Sequence, residues 1–320
     1  MRRLQHVRRF CAARESSWTW YDSRQHLEAM INSDSEPAAL AEHLEVSPIT
    51  KLEMYVRAGD EEFGISEQGV ASLAEALATN KTVTQLVLYG EGLGADAANA
   101  VAASALRSTA LTRLALYGAP IGHSGGAALG AALARDGAAL AELDLDFCTL
   151  GASGTAALAE SLASNATLGR LNLQGSSIIR GASSSTHDYD DAGVAGLASL
   201  LTQLTPLRHL SLPHNELGDD DVMTLAHALQ SNTSLKYLDL SGNHLLSDRS
   251  HAALGSLFEG GAADEQRPLA VHLDAIASDQ SRGKRVKKGK TLSTKKPVEE
   301  RKFGLFLNEI GRDDESEQSY

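Results

Sequence analysis

The sequence has few cysteines, few aromatic residues and no long hydrophobic run. Its two cysteines, Cys11 and Cys148, among 320 residues exclude a disulfide framework and favour a reducing compartment. No apolar run approaches the roughly 20 residues that a helix needs to span a bilayer, so no membrane contact is expected. Aromatic residues make up 5% of the chain, whereas Ala and Leu are abundant, which predicts a core of small aliphatic layers.

The net charge of −12 is unevenly distributed along the chain. Residues 1–14 contain five arginines and no acid, and residues 282–302 contain ten Lys and Arg against two Glu. Most of the acidic residues therefore lie in the body between these basic ends. An acidic body predicts a partner protein with a basic surface, and it argues against nucleic-acid binding by the body.

A short apolar pattern recurs along the body of the chain. The spacing apolar-x-x-apolar-x-apolar begins at residues 49, 83, 111, 140, 168, 207 and 235, mostly 28 or 29 residues apart. An Ala/Leu-rich segment such as ASLAEALATN follows each occurrence. Each unit is therefore predicted to be a short strand, a turn and an amphipathic helix, and the segment PLAVHLDAI is predicted to add a partial eighth strand.

These units resemble the leucine-rich repeats of the ribonuclease-inhibitor-like class, whose core is L-x-x-L-x-L-x-x-[N/C]-x-L with a 28-residue period. The resemblance covers residues 49–275 and implies an α/β fold. That fold is a curved leucine-rich-repeat solenoid with a parallel concave sheet and outer helices, with about seven repeats plus caps. The Asn/Cys position of the core is occupied by Glu91, Ala119, Cys148, Ser176, Asn215 and Asn243. The residues other than Asn and Cys at this position affect the expected side-chain ladder at the turn, and the solenoid prediction does not depend on them.

The stretch LALYGAPIGHSGGAALGAALA places a Gly-rich turn between a strand and a helix, where phosphate-binding loops occur. The same strand–turn–helix unit recurs along the chain, and no Gly-Lys-[Ser/Thr] follows. We therefore interpret Gly118, Gly122, Gly125 and Gly126 as structural residues, and no cofactor is expected.

Other motifs that resemble modification, catalytic or metal sites are also interpreted as structural. Sequons at Asn80, Asn165 and Asn232 share one repeat position at a helix end, where Asn suits the following turn. Cys148 occupies a turn position without an implied base, so no catalytic residue is expected. The insertion THDYDDAG, residues 186–193, matches no metal-ligand spacing and is interpreted as a solvated loop, so no metal site is expected. A role for the insertion at 180–191 is left open.

Alternate strand residues should point away from the leucines and line the concave face. Tyr55, Tyr89 and Tyr117 share one position in successive repeats, and Tyr and Arg are enriched at binding hot spots. The predicted protein-binding residues are Tyr55, Tyr89, Arg113, Tyr117, Glu142, Asp144, Asp146, Tyr237 and Asp239. An alternative is that the tyrosines only shield the sheet.

Three regions are expected. Residues 1–48 form a basic N-terminal segment and a helical cap, residues 49–275 the solenoid, and residues 276–320 a disordered basic tail with a short apolar segment. An intracellular protein is expected, with the cytoplasm favoured. Residues 1–14 resemble a mitochondrial presequence and residues 284–288 a nuclear-localisation signal, and both stay open as alternatives. The oligomeric state is also left open.

The predicted function is a non-enzymatic protein–protein interaction scaffold or adaptor that binds a partner protein on the concave face. A GTPase regulator is one alternative, since the repeats resemble those of the Ran GTPase-activating family at the level of repeat class. An adaptor in a cytoskeletal, ciliary or ubiquitin-linked assembly is another.

Overall fold

Strands and helices alternate along the part of the chain that the structure describes, as the repeat pattern predicts. The computed structural model describes residues 18–21, 26–31, 40, 44, 49–56, 67–89, 95–135, 138–181, 189–203, 205–259, 269–273 and 290–293. The α/β solenoid predicted from the repeats is confirmed: a parallel sheet of nine strands alternates with helices.

Over the described residues, eleven strands form one sheet and follow their order along the chain. They are β1 (Trp18–Tyr21), β2 (His26–Ile31), β3 (Lys51–Val56), β4 (Gln85–Tyr89), β5 (Arg113–Tyr117), β6 (Glu142–Asp146), β7 (Arg170–Asn172), β8 (His209–Ser211), β9 (Tyr237–Asp239), β10 (Ala270–Leu273) and β11 (Lys290–Ser293). Strands β2 to β10 are parallel, and β1 and β11 are antiparallel strands at the two edges.

Parallel neighbours need a crossover connection, and helices supply it between most of the strands. The helices are α1 (Glu67–Thr79), α2 (Ala95–Ala105), α3 (Gly122–Leu133), α4 (Gly151–Leu162), α5 (Ala192–Thr202), α6 (Asp219–Leu229) and α7 (Asp248–Glu259). Each of these helices packs against the next one along the chain. One layer of helices therefore lies against one layer of strands.

Columns of leucines that run across the strands build the core. Leu86 of β4 pairs in register with Leu52 of β3 and Leu114 of β5, and all three are fully buried. Residues two positions apart in a strand share a face, so Leu88 and Leu116 form a second buried column beside the first. Burying each such side chain stabilises the fold by about 1.5–3 kcal/mol.

A ladder of side-chain hydrogen bonds connects consecutive turns, although Asn or Cys is missing from several of them. Each of four turn residues donates to a backbone carbonyl of the preceding repeat. The bonds run from Cys148 Sγ to Leu116 O (3.2 Å), from Ser176 Oγ to Leu145 O (2.7 Å), from Asn215 Nδ2 to Leu173 O (2.8 Å) and from Asn243 Nδ2 to Leu212 O (3.0 Å). A thiol and a hydroxyl thus replace the amide donor, whereas Ala119 carries no donor.

A second ladder lies where each helix leads into the next strand, at the three sequon asparagines. Each side-chain amide donates to a carbonyl of the preceding unit, and each Oδ1 accepts two backbone N–H groups from residues just before the following strand. The amide bonds run from Asn80 to Leu44 O (3.3 Å), from Asn165 to Leu133 O (2.7 Å) and from Asn232 to Leu201 O (2.8 Å). These asparagines connect neighbouring units through their side-chain hydrogen bonds. Their backbones do not adopt the left-handed conformation that a C-cap role implies.

The glycines of the first helical turns allow close packing of neighbouring helices. A Cβ on Gly126 of α3 would overlap the backbone oxygen of Gly154 in α4. A Cβ on Gly125 would overlap the side-chain oxygen of Asn99 in α2. Gly118 and Gly122 adopt positive φ angles of 67° and 57°. The Gly-rich segment therefore serves backbone conformation and helix contact, as its structural interpretation predicts.

The solenoid extends further towards the N-terminus than the repeat pattern predicts. A helical cap is expected within residues 1–48, but residues 18–21 and 26–31 are strands. Leu27 and Ala29 of β2 are buried and pair in register with Leu52 and Met54 of β3. Strand β2 forms here because it continues the leucine columns. Residues 40 and 44 are helical, and both leucines are buried.

At the other end, β11 lies within the segment 276–320 that is expected to be disordered. Strand β11 pairs antiparallel with β10, whose outer edge would otherwise present unpaired N–H and C=O groups. Backbone pairing of this kind needs no apolar periodicity, which explains why the sequence pattern does not reveal it. Four predicted features lie outside the described residues. They are the presequence (residues 1–14), most of the insertion (182–188), the basic motif (284–288) and the apolar tail segment (within 294–320).

Candidate protein-binding face

The side chains that alternate with the leucine columns lie on the sheet face opposite the helices, which we call the open face. The register aligns three rows across this face. Lys51, Gln85, Arg113, Glu142 and Arg170 form one row, and Glu53, Val87, Ala115, Asp144 and Asn172 form the next. Tyr55, Tyr89, Tyr117 and Asp146 form the third row, at the carboxyl ends of β3 to β6. The nine predicted binding residues all lie on this face.

The three tyrosines form a continuous stack. The rings of Tyr55 and Tyr89 are stacked 4.4 Å apart between centroids and nearly parallel, with an angle of 2° between their planes. The ring of Tyr117 follows at 5.0 Å from Tyr89, tilted by 36°. Val87 and Ala115 are buried although they belong to the open face. The tyrosine row therefore both covers small residues of the sheet and presents half-buried aromatic edges.

The stack ends at a half-buried carboxylate, that of Asp144. The hydroxyl of Tyr117 donates to Asp144 Oδ2 at 3.2 Å, and Asn172 Nδ2 donates to Asp144 Oδ1 at 2.8 Å. Burial raises the pKa of Asp144, and the two hydrogen bonds oppose that rise. Burial and the nearby Asp144 charge also raise the pKa of Tyr117. Asp144 is therefore fixed by its neighbours on both sides.

Asp146 differs from Asp144 because the described residues offer its side chain no hydrogen bond, and its Oδ1 is buried without a partner. Burial, followed by the charge of Asp144, raises the pKa of Asp146 to about 7. The two carboxylates lie on one side of β6, two residues apart. A positive charge beside Asp146 would lower its pKa, and so would oppose the effects of burial and of the Asp144 charge.

Charged residues of the first row pair with each other. Glu142 lies between Arg113 and Arg170, with both N–O distances at 3.7 Å. All three side chains are about one-third exposed, so each contact contributes little to stability. Their main effect is to hold the two guanidinium groups in place on the open face.

Tyr237 and Asp239 lie at the C-terminal end of the open face, three strands from Asp144. The Tyr237 hydroxyl donates to Asp239 Oδ2 at 3.4 Å, and His272 Nδ1 lies 3.3 Å from Asp239 Oδ1. Although burial opposes it, hydrogen bonds from His272 and Ser241 lower the pKa of Asp239. The structure thus separates the predicted residues into a tyrosine–aspartate group and a distant Tyr237–Asp239 group.

Three residues that complete this face are not among the predicted binding residues. Asn172 and His272 are partners of Asp144 and Asp239, and the strand register would have revealed both. Phe147 follows Asp146 and is 53% exposed. The sequence signal for it is that it occupies a turn position that is glycine at Gly118, Gly175 and Gly242.

The described residues do not assemble a catalytic centre around Cys148. The thiol is fully buried, and burial raises its pKa to about 12, so the reactive thiolate is not populated at neutral pH. Within the described ranges, no group of three or more His, Cys, Asp or Glu side chains is placed to hold a metal ion. The helices that the structure describes are all too short or too polar to cross a membrane.

Comparison with known proteins agrees with the repeat architecture. A family model for the Leucine Rich repeat matches residues 203–226 and 231–254. The chain is 30% identical over 192 residues to NACHT, LRR and PYD domains-containing protein 5 of Bos taurus. The match covers 59% of this chain, which spans only 16% of that relative's length.

Two solved structures are similar at 15% identity. Leiomodin-1 Actin-Binding Site 2 (ABS2) matches 70% of this chain and 86% of its own, with a TM-score of 0.29. A chain of the Rad7 and Elc1 complex in yeast matches 69% of this chain and 64% of its own, with a TM-score of 0.34.

Leucine-rich repeat domains typically bind proteins and are usually non-catalytic. The recurring leucine pattern, the parallel sheet with its alternating helices and the family match all agree on one class. The chain therefore contains leucine-rich repeats, two of which the family model matches at residues 203–226 and 231–254.

Proposed function

We propose that this chain is a non-enzymatic adaptor or scaffold that binds a partner protein with a basic surface on the open face of its sheet. The observation that carries the proposal is the stacked row of Tyr55, Tyr89 and Tyr117, which leads directly into Asp144 and Asp146.

The tyrosine row has the properties of a binding hot spot. Each ring offers a large, stiff contact area with a hydroxyl at its end, and stacking fixes the rings before a partner arrives. Because little side-chain freedom is left to lose, contact with the row costs less entropy than contact with flexible side chains.

Charge supports a basic partner. The open face carries Glu53, Asp144, Asp146 and Asp239, and the whole chain has a net charge of −12. An acidic surface steers oppositely charged partners and repels nucleic acid, whose backbone is negative.

The test is quantitative affinity capture from cells that express the chain, with cross-linking at Lys51, Lys81 and Lys236. The triple variant Tyr55→Ala, Tyr89→Ala, Tyr117→Ala is compared with a matched triple variant of exposed residues in the helical layer, Glu75→Ala and Glu160→Ala within helices and Gln230→Ala at the C-cap of α6. We call the matched variant the helix variant. Circular dichroism and urea unfolding establish that both variants remain folded.

We expect one recurring protein, cross-linked near Lys51 or Lys236, to be captured at least 10-fold less by the tyrosine variant than by the helix variant. Asp146→Lys provides a second test that leaves the aromatic row intact. Equal capture by the wild type and by both open-face variants would refute the proposed site.

A further inference from the structure

The strand ends continue into a rim with an unusual backbone. Gly118, Phe147, Gly175, His214 and Gly242 occupy the same repeat position and have positive φ angles between 54° and 70°. Their N–H groups connect the repeats through backbone hydrogen bonds. These run from Gly118 to Asp146 O (3.0 Å), from Phe147 to Gln174 O (2.8 Å), from Gly175 to Pro213 O (2.9 Å) and from His214 to Ser241 O (3.1 Å). We call this row the strand-end rim.

Phe147 is not the residue that this backbone favours. A left-handed conformation is unfavourable for a side chain with a Cβ, and three of the five rim positions are glycine. The fold therefore tolerates glycine here, and glycine would relieve the strain. His214 shares this backbone but follows Pro213, whereas Phe147 follows a carboxylate, so its position beside Asp146 is what distinguishes Phe147.

Gly175 holds the Phe147 ring in place at the surface. A Cβ on Gly175 would overlap the Phe147 ring, so the ring lies directly over this glycine of the next repeat. The phenyl group nevertheless remains 53% exposed. One side of the ring thus rests on backbone, while the rest of it stays accessible to solvent.

Asp146 immediately precedes this ring and pairs in register with Tyr117 of the neighbouring strand. Other acids of the open face have partners: Lys51 pairs with Glu53, Arg113 and Arg170 with Glu142, Asn172 with Asp144, and His272 with Asp239. Among the described residues, no hydrogen bond or ion pair neutralises the Asp146 side chain, and Asp144 adds a like charge nearby.

We propose that Asp146 and Phe147 form the anchoring site for one arginine or lysine side chain of the partner protein. The cation forms an ion pair with the Asp146 carboxylate and contacts the exposed Phe147 ring. This inference rests on the proposed function and specifies its central contact.

Charge complementarity favours a separate basic partner over a second copy. A second copy would present the same acidic open face, and like charges on facing surfaces oppose association. The chain's own residues 282–302, with ten Lys and Arg, have the same chemistry as the proposed partner, so the experiment must distinguish them.

The probe is N-acetyl-L-arginine amide, with the neutral N-acetyl-L-citrulline amide as its matched control. Both are titrated into the full chain and into a full-length form in which the Lys and Arg residues of 282–302, apart from Lys290 of β11, are replaced by Gln. NMR follows the Phe147 and Tyr117 ring signals. We expect saturable arginine binding in the millimolar range and at least fivefold weaker citrulline binding. Asp146→Asn and Phe147→Gly should each abolish the saturable Tyr117 shift.

His214→Gly is the matched control, because it also replaces a side chain of positive φ by glycine at the same rim position, two repeats away. In the capture assay, Phe147→Gly should reduce partner recovery about 10-fold without loss of stability, while His214→Gly should leave recovery unchanged. Unchanged recovery with Phe147→Gly, alongside loss with the tyrosine triple variant, would overturn the anchoring site and leave the proposed function standing.

Two further outcomes are informative. Arginine binding at Phe147 without any protein captured by the wild type would refute the proposed function but not the cation preference of the site. A Phe147 ring signal that shifts when those Lys and Arg residues are replaced by Gln, and that responds to the arginine amide only in that form, would overturn the assignment to a separate partner. It would identify the chain's own basic segment as the occupant.

Discussion

The ring of Tyr55 lies flat against the ring of Tyr89, with centroids 4.4 Å apart and an angle of 2° between their planes. This contact joins two repeats on the open face, opposite the leucine columns that join them in the core. The same pair of strands is therefore connected on both of its faces.

The first prediction concerns the energy of this stack. A double-mutant cycle with Tyr55→Ala and Tyr89→Ala should give a coupling of about 0.5–1.5 kcal/mol in the free energy of unfolding. Urea unfolding of the four proteins measures it. A control cycle of Tyr55→Ala with Tyr237→Ala, several strands away, should be additive within about 0.5 kcal/mol. Equal coupling in both cycles would argue against a specific contact.

The second prediction concerns the pH dependence of stability at Asp146. Its pKa is raised from 3.8 to about 7 in the folded chain, so the folded state binds this proton more tightly than the unfolded state. The wild type therefore loses stability as pH rises from about 4 to 7, and this loss stays in full above pH 7.

Asp146→Asn removes this cost. At pH 8 the variant should be more stable than the wild type by about 1 kcal/mol, a value reduced for solvent screening because the carboxylate is partly exposed. At pH 4 the two should be equal. Urea unfolding at both pH values tests this, with exposed Glu160→Gln as the control. A variant that is less stable at pH 8 would show that Asp146 has a stabilising partner.

The third prediction concerns the turn ladder. Asn243 donates to Leu212 O and Leu240 O, and its Oδ1 accepts from Asn215 N and Leu217 N at 2.9 and 3.1 Å. Asn243→Ala leaves these buried groups without partners, which should cost about 3 kcal/mol in the free energy of unfolding. Exposed Ser231→Ala should change it by less than about 0.5 kcal/mol. A loss as small as that of the control would mean that water replaces the amide.

The fourth prediction concerns Cys148. Burial raises the pKa of its thiol to about 12, and the thiol donates to Leu116 O. Iodoacetamide at pH 8 should therefore modify Cys148 only on unfolding, with a rate at least about 100-fold slower in the native chain than in urea. Peptide mass spectrometry measures the modification at this residue. Rapid native labelling would contradict the buried turn position.

Much of the fold could be predicted because leucines at fixed spacing have one efficient way to be buried together. The same spacing predicts that Tyr55, Tyr89 and Tyr117 align, since residues at equal repeat positions become neighbours across parallel strands. Their role in binding stays a prediction, as do the GTPase-regulator and assembly-adaptor alternatives.

Other features could not be predicted because they depend on pairing rather than on periodicity. Strands β2 and β11 form beside neighbours that provide an edge, and neither carries the full leucine pattern. The partners of Asp239 and Asp144 come from adjacent strands, so single repeats do not reveal them. The position of Phe147 depends on the absence of a Cβ in Gly175, one repeat later in the chain.

The order of strands in the sheet equals their order along the chain. Each repeat is therefore stabilised mainly by its contacts with the repeat before it and the repeat after it, as in a one-dimensional chain of coupled units. Damage at one unit should propagate only as far as that coupling extends. Mutational drift around Tyr237 and Asp239 could thus proceed independently of the tyrosine row, and the two ends of the open face are free to acquire different specificities.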